Sequence, residues 1–250
     1  MSQISKDHIV KTGVYELQGQ SKQSTQNDSY DGIPIYATTG LHAHVFSLIK
    51  PRLHPGSKVL ELGAGGGALS KRLFDNGYKI TSSDLVEGNF RLADTIPFKT
   101  ADLNLEFSQT FNEQFDAVVA TELVEHIENV RNFYRQCKQM LKPGGYLVMT
   151  TPNTENALSL AYQMRFGHHL WFSNQDYEEA GHINPITSWH FKAMAREANL
   201  AVDYLGSFGD IMRRVKGWPK MKLLTYIIRF FSKGRLQQGE ILICICKMPT

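Results

Sequence analysis

At 250 residues, 42% hydrophobic and 20% charged, the chain has the length and composition of one globular α/β domain with an appendage, which excludes a fibrous or wholly disordered protein. Its formal charge of +3 hides an asymmetry. From Arg213 to Arg235 there are eight basic residues (Arg213, Arg214, Lys216, Lys220, Lys222, Arg229, Lys233, Arg235) and no acidic one. Elsewhere acids outnumber bases, so the basic block is local rather than a property of the whole chain.

Residues 1–39 read as an N-terminal arm, flexible or lightly docked, before a domain over 40–250; residues 1–30 are polar and lack the apolar stretch of a secretory signal. A helix is predicted over Leu41–Lys50, ended by Pro51 and the Pro55-Gly56 turn. Strands at 58–62, 79–83, 97–100, 115–120 and 145–151 then alternate with helices at 67–76, 86–94 and 128–141. That alternation argues for a parallel sheet with helices on both faces. Thr187 caps a predicted helix over Ser188–Ala198, and strands at 201–206 and 240–247 close the sheet. Segments of about 153–187 and 209–236 read as insertions that form a cap. Cys137, Cys244 and Cys246 make no paired framework. The last two share a predicted strand and are expected on opposite faces, beyond bridging reach, which favours reduced thiols and a cytoplasmic setting. No charge-free apolar run is long enough to span a bilayer.

Val59-Leu60-Glu61-Leu62 is a short apolar strand, and Gly63-Ala64-Gly65-Gly66-Gly67 is its turn into a helix. Glycines there permit positive φ and close approach of a ligand, and a helix N-terminus offers free amides to an anion. Alone, the loop also fits a dinucleotide fingerprint; a dehydrogenase would need a second phosphate cradle and a hydride-acceptor site, and neither is visible. Asp84 follows Gly63 by 21 residues at the end of the second strand. There it either accepts both hydroxyls of a ribose or caps a helix starting at Leu85. Asp102, after the third strand, either meets the exocyclic amine of an adenine beside Leu103 or is a turn residue.

The ordered set Glu61-x-Gly63-x-Gly65-x-Gly67, Asp84, Asp102, Phe115-Asp-Ala-Val-Val-Ala-Thr121 and Leu141-Lys-Pro-Gly-Gly-Tyr-Leu-Val-Met-Thr-Thr-Pro-Asn153 resembles the motifs of class I S-adenosylmethionine-dependent methyltransferases. The resemblance runs from about 40 to 153 and more weakly to about 206. It implies a doubly wound seven-stranded sheet in the order 3-2-1-4-5-7-6, with strand 7 antiparallel. It also implies cofactor contacts from Glu61, Gly63, Ala64, Gly65, Gly67, Asp84, Leu85, Asp102, Leu103 and Thr121.

Thr121-Glu-Leu-Val-Glu-His126 follows the fourth strand, at the sheet edge where α/β enzymes place their chemistry. If helical, Glu122, Glu125 and His126 share one face and make a candidate hard-cation site for Mg²⁺, Mn²⁺ or Zn²⁺. The segment is similar to one in ubiquinone-pathway O-methyltransferases and in small-RNA ribose methyltransferases, which implies a divalent ion holding the acceptor hydroxyl. In the RNA enzymes a further histidine joins it, for which His182 is the first candidate here and His190 the second. Against this stand a metal-free site with His126 as direct general base, and a Glu125 that merely caps a helix.

Aromatic and histidine residues crowd the stretch from Tyr162 to Trp189, either as a lid over an organic acceptor or as a satellite core. Residues 211–235 interleave cations with large apolar side chains. That suits peripheral contact with an anionic membrane or a docked helix with a solvated basic edge; nucleic acid ranks last, for want of any recognisable module. The expected activity is methyl transfer to a hydroxyl of a small, lipid-linked or sugar-type metabolite. The alternatives are an RNA ribose methyltransferase and a non-catalytic cofactor-binding scaffold.

Overall fold

A computed structural model describes residues 28–232 and 234–250; residues 1–27 of the expected arm and Lys233 of the basic block lie outside the described residues. The chain enters through a small hairpin, β1 (Ser29–Tyr30) and β2 (Ile33–Pro34). It turns on Asp31 and Gly32, both at positive φ (51° and 74°), as a tight hairpin turn requires. Ile33 and Ile35 pack on Ala68, and the Tyr30 ring lies 4.2 Å from the Arg72 guanidinium. The described part of the arm is therefore docked.

The domain follows as α1 (Leu41–Ile49), β3 (Lys58–Leu62), α2 (Ala68–Asp75), β4 (Lys79–Asp84), β5 (Phe98–Thr100), β6 (Phe115–Ala120), α3 (Val130–Gln139), β7 (Leu141–Pro152), α4 (Ala157–Phe166), α5 (Ser188–Glu197), β8 (Ala201–Phe208), α6 (Pro219–Ser232) and β9 (Ile241–Lys247). The seven-stranded sheet runs β5-β4-β3-β6-β7-β9-β8, with β9 antiparallel to both neighbours and the other pairs parallel. Counted from β3, this is the expected order 3-2-1-4-5-7-6.

Period-two alternation sorts the central strands into two cores. Val118, Ala120, Leu147 and Met149 face α3 and α5 with Phe133, Tyr134 and Phe191. Ala117, Val119 and Val148 face α1 and α2 with Leu41, Val45, Leu69 and Leu73. Strands buried on both faces read as continuous apolar runs, which is why Phe115–Ala120 carries one half-buried position, Asp116, near its start. Because β3, β4, β5 and β6 are parallel, their carboxyl ends lie along one edge, and Gly63, Asp84, Asp102 and Thr121 emerge together there.

Three expectations are corrected. The helix over 86–94 is only a 3₁₀ turn at Glu87–Asn89. Gly88 lowers helix propensity there, and Phe90 is drawn inward to bury against the glycine loop. Cys244 and Cys246 point to the same face, because residues two apart on a strand share one; their sulfurs are 3.6 Å apart, and all three cysteines are buried and free. Strand β7 starts at Leu141 rather than 145, with a register shift opposite Phe115/Ala117.

Residues after β7 and before β9 build a third cluster. Leu158 and Ala161 of α4 meet Ile211, Val215 and Met221, with Trp171 packed against them. Thr187 caps α5, its hydroxyl accepting the His190 amide while His190 closes the capping box.

Candidate active site

The glycine loop sits where β3 gives way to α2. Gly63, Gly65 and Gly67 all have positive φ (71°, 51° and 89°). A Cβ on Gly67 would lie 2.7 Å from the Phe90 ring, whereas one on Gly65 would meet nothing within 4 Å. The loop is thus closed against the protein at one end and open to a cleft at the other. Asp84 pins it: Oδ2 accepts the Gly65 amide at 2.8 Å, and Oδ1 accepts the Leu85 amide at 2.7 Å. The loop's shape and the acid at the end of β4 are one structure. Asp102 Oδ1 accepts the Asn104 amide at 3.0 Å, forming a turn, and Leu103 packs beside it.

Glu61 lies beneath the loop, buried, bonded to the Ser70 hydroxyl, which in turn meets Ser82 at 2.7 Å. Burial, with the Asp84 charge adding to it and Ser70 opposing it, pushes the Glu61 carboxyl up to about 8 from its ordinary 4.5. The folded protein then holds a proton that the unfolded chain releases. Its stabilisation is full below about pH 4.5 and fades as pH rises through about 8. Glu61→Gln is therefore expected to raise the melting temperature of the ligand-free protein at alkaline pH and flatten its decline from acid to alkaline pH. Thermal denaturation across that range checks it, and an unchanged pH profile would contradict it.

After β6 the chain does not form the helix that would put Glu122, Glu125 and His126 on one face. Glu122 takes a left-handed backbone (φ 48°). Its amide donates to Thr150 Oγ1 at 2.9 Å, and that hydroxyl donates back to Glu122 Oε1 at 2.8 Å. Burial, opposed by this hydrogen bond and assisted by Glu240, holds the Glu122 carboxyl up at about 7. A single 3₁₀ turn, Val124–His126, then carries Glu125 and His126.

The missing neighbour comes from further along the chain. The Glu125 carbonyl accepts the amides of Ile183 (2.9 Å) and Asn184 (3.0 Å), which lays residues 182–184 against the turn. One ligand atom from each of Glu125, His126 and His182 lies within 4.8 Å of the others. Each imidazole is held by a backbone carbonyl through Nδ1: His126 on Gly181 at 3.1 Å and His182 on Trp171 at 2.8 Å. Nδ1 is thereby assigned the proton, and Nε2 is left with a free lone pair in both rings. Burial lowers His126 to about 4, with His182 adding to the effect, and burial also lowers His182. Glu125 is 1% exposed, and its carboxyl oxygens make no close hydrogen bond among the described residues, with His126 Nε2 3.9 Å from Oε1. Burial and the neighbouring Glu122, opposed by the Thr151 hydroxyl, push its carboxyl well above the usual range. A buried carboxyl without a close partner, beside two neutral imidazoles, fits a divalent cation that would displace its proton. Glu122 is not part of this group, and His190 is spent on the α5 cap.

Glu61, Gly63, Gly65, Asp84, Asp102, Thr121, Glu122, Glu125, His126 and His182 border one cleft of about 1230 Å³. Its wall also includes Tyr36, Thr38 and His42 before and within α1, and Arg214 and Glu240 flanking the α6 segment. Glu240 is buried, 3.5 Å from Arg214, and accepts a 3.4 Å hydrogen bond from Thr38. A lone acid at the end of a segment rich in cations was the available signal for that pair. Trp171, at φ 66°, supports His182 through its carbonyl and lies under the Arg214 guanidinium at 4.9 Å.

The family model described as "Methyltransferase domain" matches residues 39–205. The chain is similar to the mitochondrial ubiquinone biosynthesis O-methyltransferase of Rattus norvegicus, 39% identical over 108 residues, covering 39% of this chain and 31% of that protein. It is also similar to the ubiquinone biosynthesis O-methyltransferase of Rickettsia typhi, 32% identical over 102 residues, covering 38% and 41%. It thus spans less than half the length of these relatives. A solved SAM-dependent methyltransferase from Archaeoglobus fulgidus superposes with a TM-score of 0.59 at 17% identity, over 83% of this chain and 92% of that one. The sheet order, the acid-pinned glycine loop and a match across most of the domain agree, and the chain belongs to the methyltransferase-domain family.

Proposed function

We propose that the protein transfers a methyl group from S-adenosylmethionine to a hydroxyl of a small, lipid-linked or sugar-type acceptor. The observation that carries the acceptor side is the convergence of Glu125, His126 and His182 at the cleft, next to the end of β6. Supporting it are relatives named as ubiquinone biosynthesis O-methyltransferases. On the donor side, the open face of Gly65, with Gly63 and Ala64, receives the methionine portion, and Glu61 lies buried below the loop. Asp84 offers its remaining lone pairs to the ribose, beside the Leu85 amide. Asp102 and Leu103 border the adenine, and Thr121 shapes the floor; Gly67, packed on Phe90, sets the turn into α2. S-adenosylmethionine, when bound, supplies the electrophilic methyl group.

Glu125, His126 and His182 would hold a divalent cation, whose chemistry is to acidify and orient the acceptor hydroxyl. Glu122, held on Thr150 and lining the same cleft, would take up the released proton at its raised affinity. In-line attack then needs mainly positioning. The segments 153–187 and 209–236 serve as a cap that keeps water from the acceptor. Three buried thiols suit a cytoplasmic protein. No described helix is long and apolar enough to cross a membrane, so any lipid contact through described helices would be peripheral.

One observation favours a second reading. His182, rather than another residue, completes the cluster, as an RNA ribose methyltransferase would have it. One experiment addresses both: tritiated methyl donor is incubated with the protein and either a lipid extract or total RNA, with and without a chelator. Label in the organic phase that disappears with EDTA is the expected result. Label in RNA would transfer the activity to ribose. Full rate after chelation would remove the cation.

A further inference from the structure

Helix α6 carries two apolar stripes, and the domain uses only one. Met221, Leu224, Thr225 and Ile228 turn inward, with Met221 and Thr225 buried. Leu223, Tyr226, Ile227, Phe230 and Phe231, at i, i+3, i+4, i+7 and i+8, turn outward; Leu223 is 62% exposed, Phe230 71% and Phe231 73%. Two bulky aromatics this exposed on the outer face of one helix are not needed by the core beneath it. The patch continues past the helix start, where exposed Trp218 stacks on Tyr162 at 6.3 Å and lies 6.5 Å from exposed Phe166.

The charges around this stripe have one sign. Lys222 and Arg229, seven residues apart, lie on one flank, with Lys216 and Lys220 at the N-terminal end; all four are exposed and have no acidic partner among the described residues. A two-fold contact between copies would bring these cations against their own images, with no acid in the segment to pair them. An anionic bilayer meets both demands at once. Apolar side chains enter the acyl boundary, and Lys and Arg reach the headgroups.

We propose that the outer stripe of α6 is an interfacial helix that seats the protein on an anionic membrane. The turn Ile211–Val215 packs with Met221 while its Arg213 and Arg214 face the cleft. Seating α6 therefore brings the cleft wall to the headgroup layer. That the acceptor arrives from the lipid phase rests on the proposed function; the contact itself rests on α6.

The test is flotation of the full chain with vesicles of equal parts phosphatidylcholine and phosphatidylglycerol, against phosphatidylcholine alone, at low salt. Binding is expected to the anionic vesicles and to fall steeply on the neutral ones. Phe230→Ser with Phe231→Ser should abolish it. Lys222→Gln with Arg229→Gln should weaken it about thirtyfold. These positions are exposed, and methyl-donor affinity measured on the same samples reports intact folding. No binding to anionic vesicles, or equal binding to both kinds, overturns the proposal. So does a concentration-dependent dimer in sedimentation velocity that Phe230→Ser dissolves. Loss of vesicle binding with donor affinity intact would leave the methyltransferase reading standing, and absent donor binding with vesicle binding intact would do the reverse.

Discussion

Replacing Asp84 with alanine is expected to weaken S-adenosylmethionine binding about a hundredfold, as two charge-assisted hydrogen bonds of about 1.5 kcal/mol each would predict. The reason is more than a lost ribose contact. The same carboxylate holds the Gly65 amide at 2.8 Å and the Leu85 amide at 2.7 Å. Removing it leaves two donors unpaired and frees a glycine-rich loop to relax. Asp84→Asn should be nearly as damaging, because an amide would have to present an N–H to one of those N–H groups. Isothermal titration with the methyl donor measures both variants. Affinity within a few-fold of wild type would remove Asp84 from the donor site.

Glu125→Gln and His182→Ala are expected to act on the other half of the reaction. Turnover should fall by about 10²–10⁴-fold, the range for removing a positioned catalytic group, with donor affinity unchanged. Divalent-ion binding, followed by calorimetry with Mn²⁺ or Zn²⁺, should be lost with it. Stability separates this from misfolding. Glu125 is a buried carboxyl without a close partner and with its protonated form favoured, so a neutral glutamine should melt no lower than wild type. A variant that binds donor, melts normally and turns over at full rate would refute the assignment.

The strands were legible because parallel, twice-buried strands advertise themselves as apolar runs between glycine-rich turns. The acids at their ends were legible through spacing. Local helix propensity failed where tertiary packing took over: Gly88 and Phe90 made a turn of what reads as a helix, since Phe90 gains more by filling the space under Gly67. The Glu122–His126 cluster was visible as residue types but not as geometry. A left-handed Glu122 breaks the helical spacing, and the partner of His126 lies 56 residues on, brought in by backbone bonds to the Glu125 carbonyl. No periodicity encodes such a contact. The meeting of Thr38, Arg214 and Glu240 was missed for the same reason. They meet only because β9 returns antiparallel to the cleft edge.

That return has a consequence for what the sheet asks of the segment between β8 and β9. Phe208 of β8 pairs with Ile241 of β9, so the chain leaves the sheet and re-enters it at neighbouring points, with the whole of α6 hung between. Closing such a loop costs little more as it lengthens, about (3/2)RT ln n. The β8–β9 pairing would therefore accept a segment of another length between Phe208 and Ile241 without re-threading the sheet. One thread would remain to be mended, for Glu240 sits at the segment's end and takes its cation, Arg214, from within it. A change in that segment therefore carries a change at the cleft wall with it.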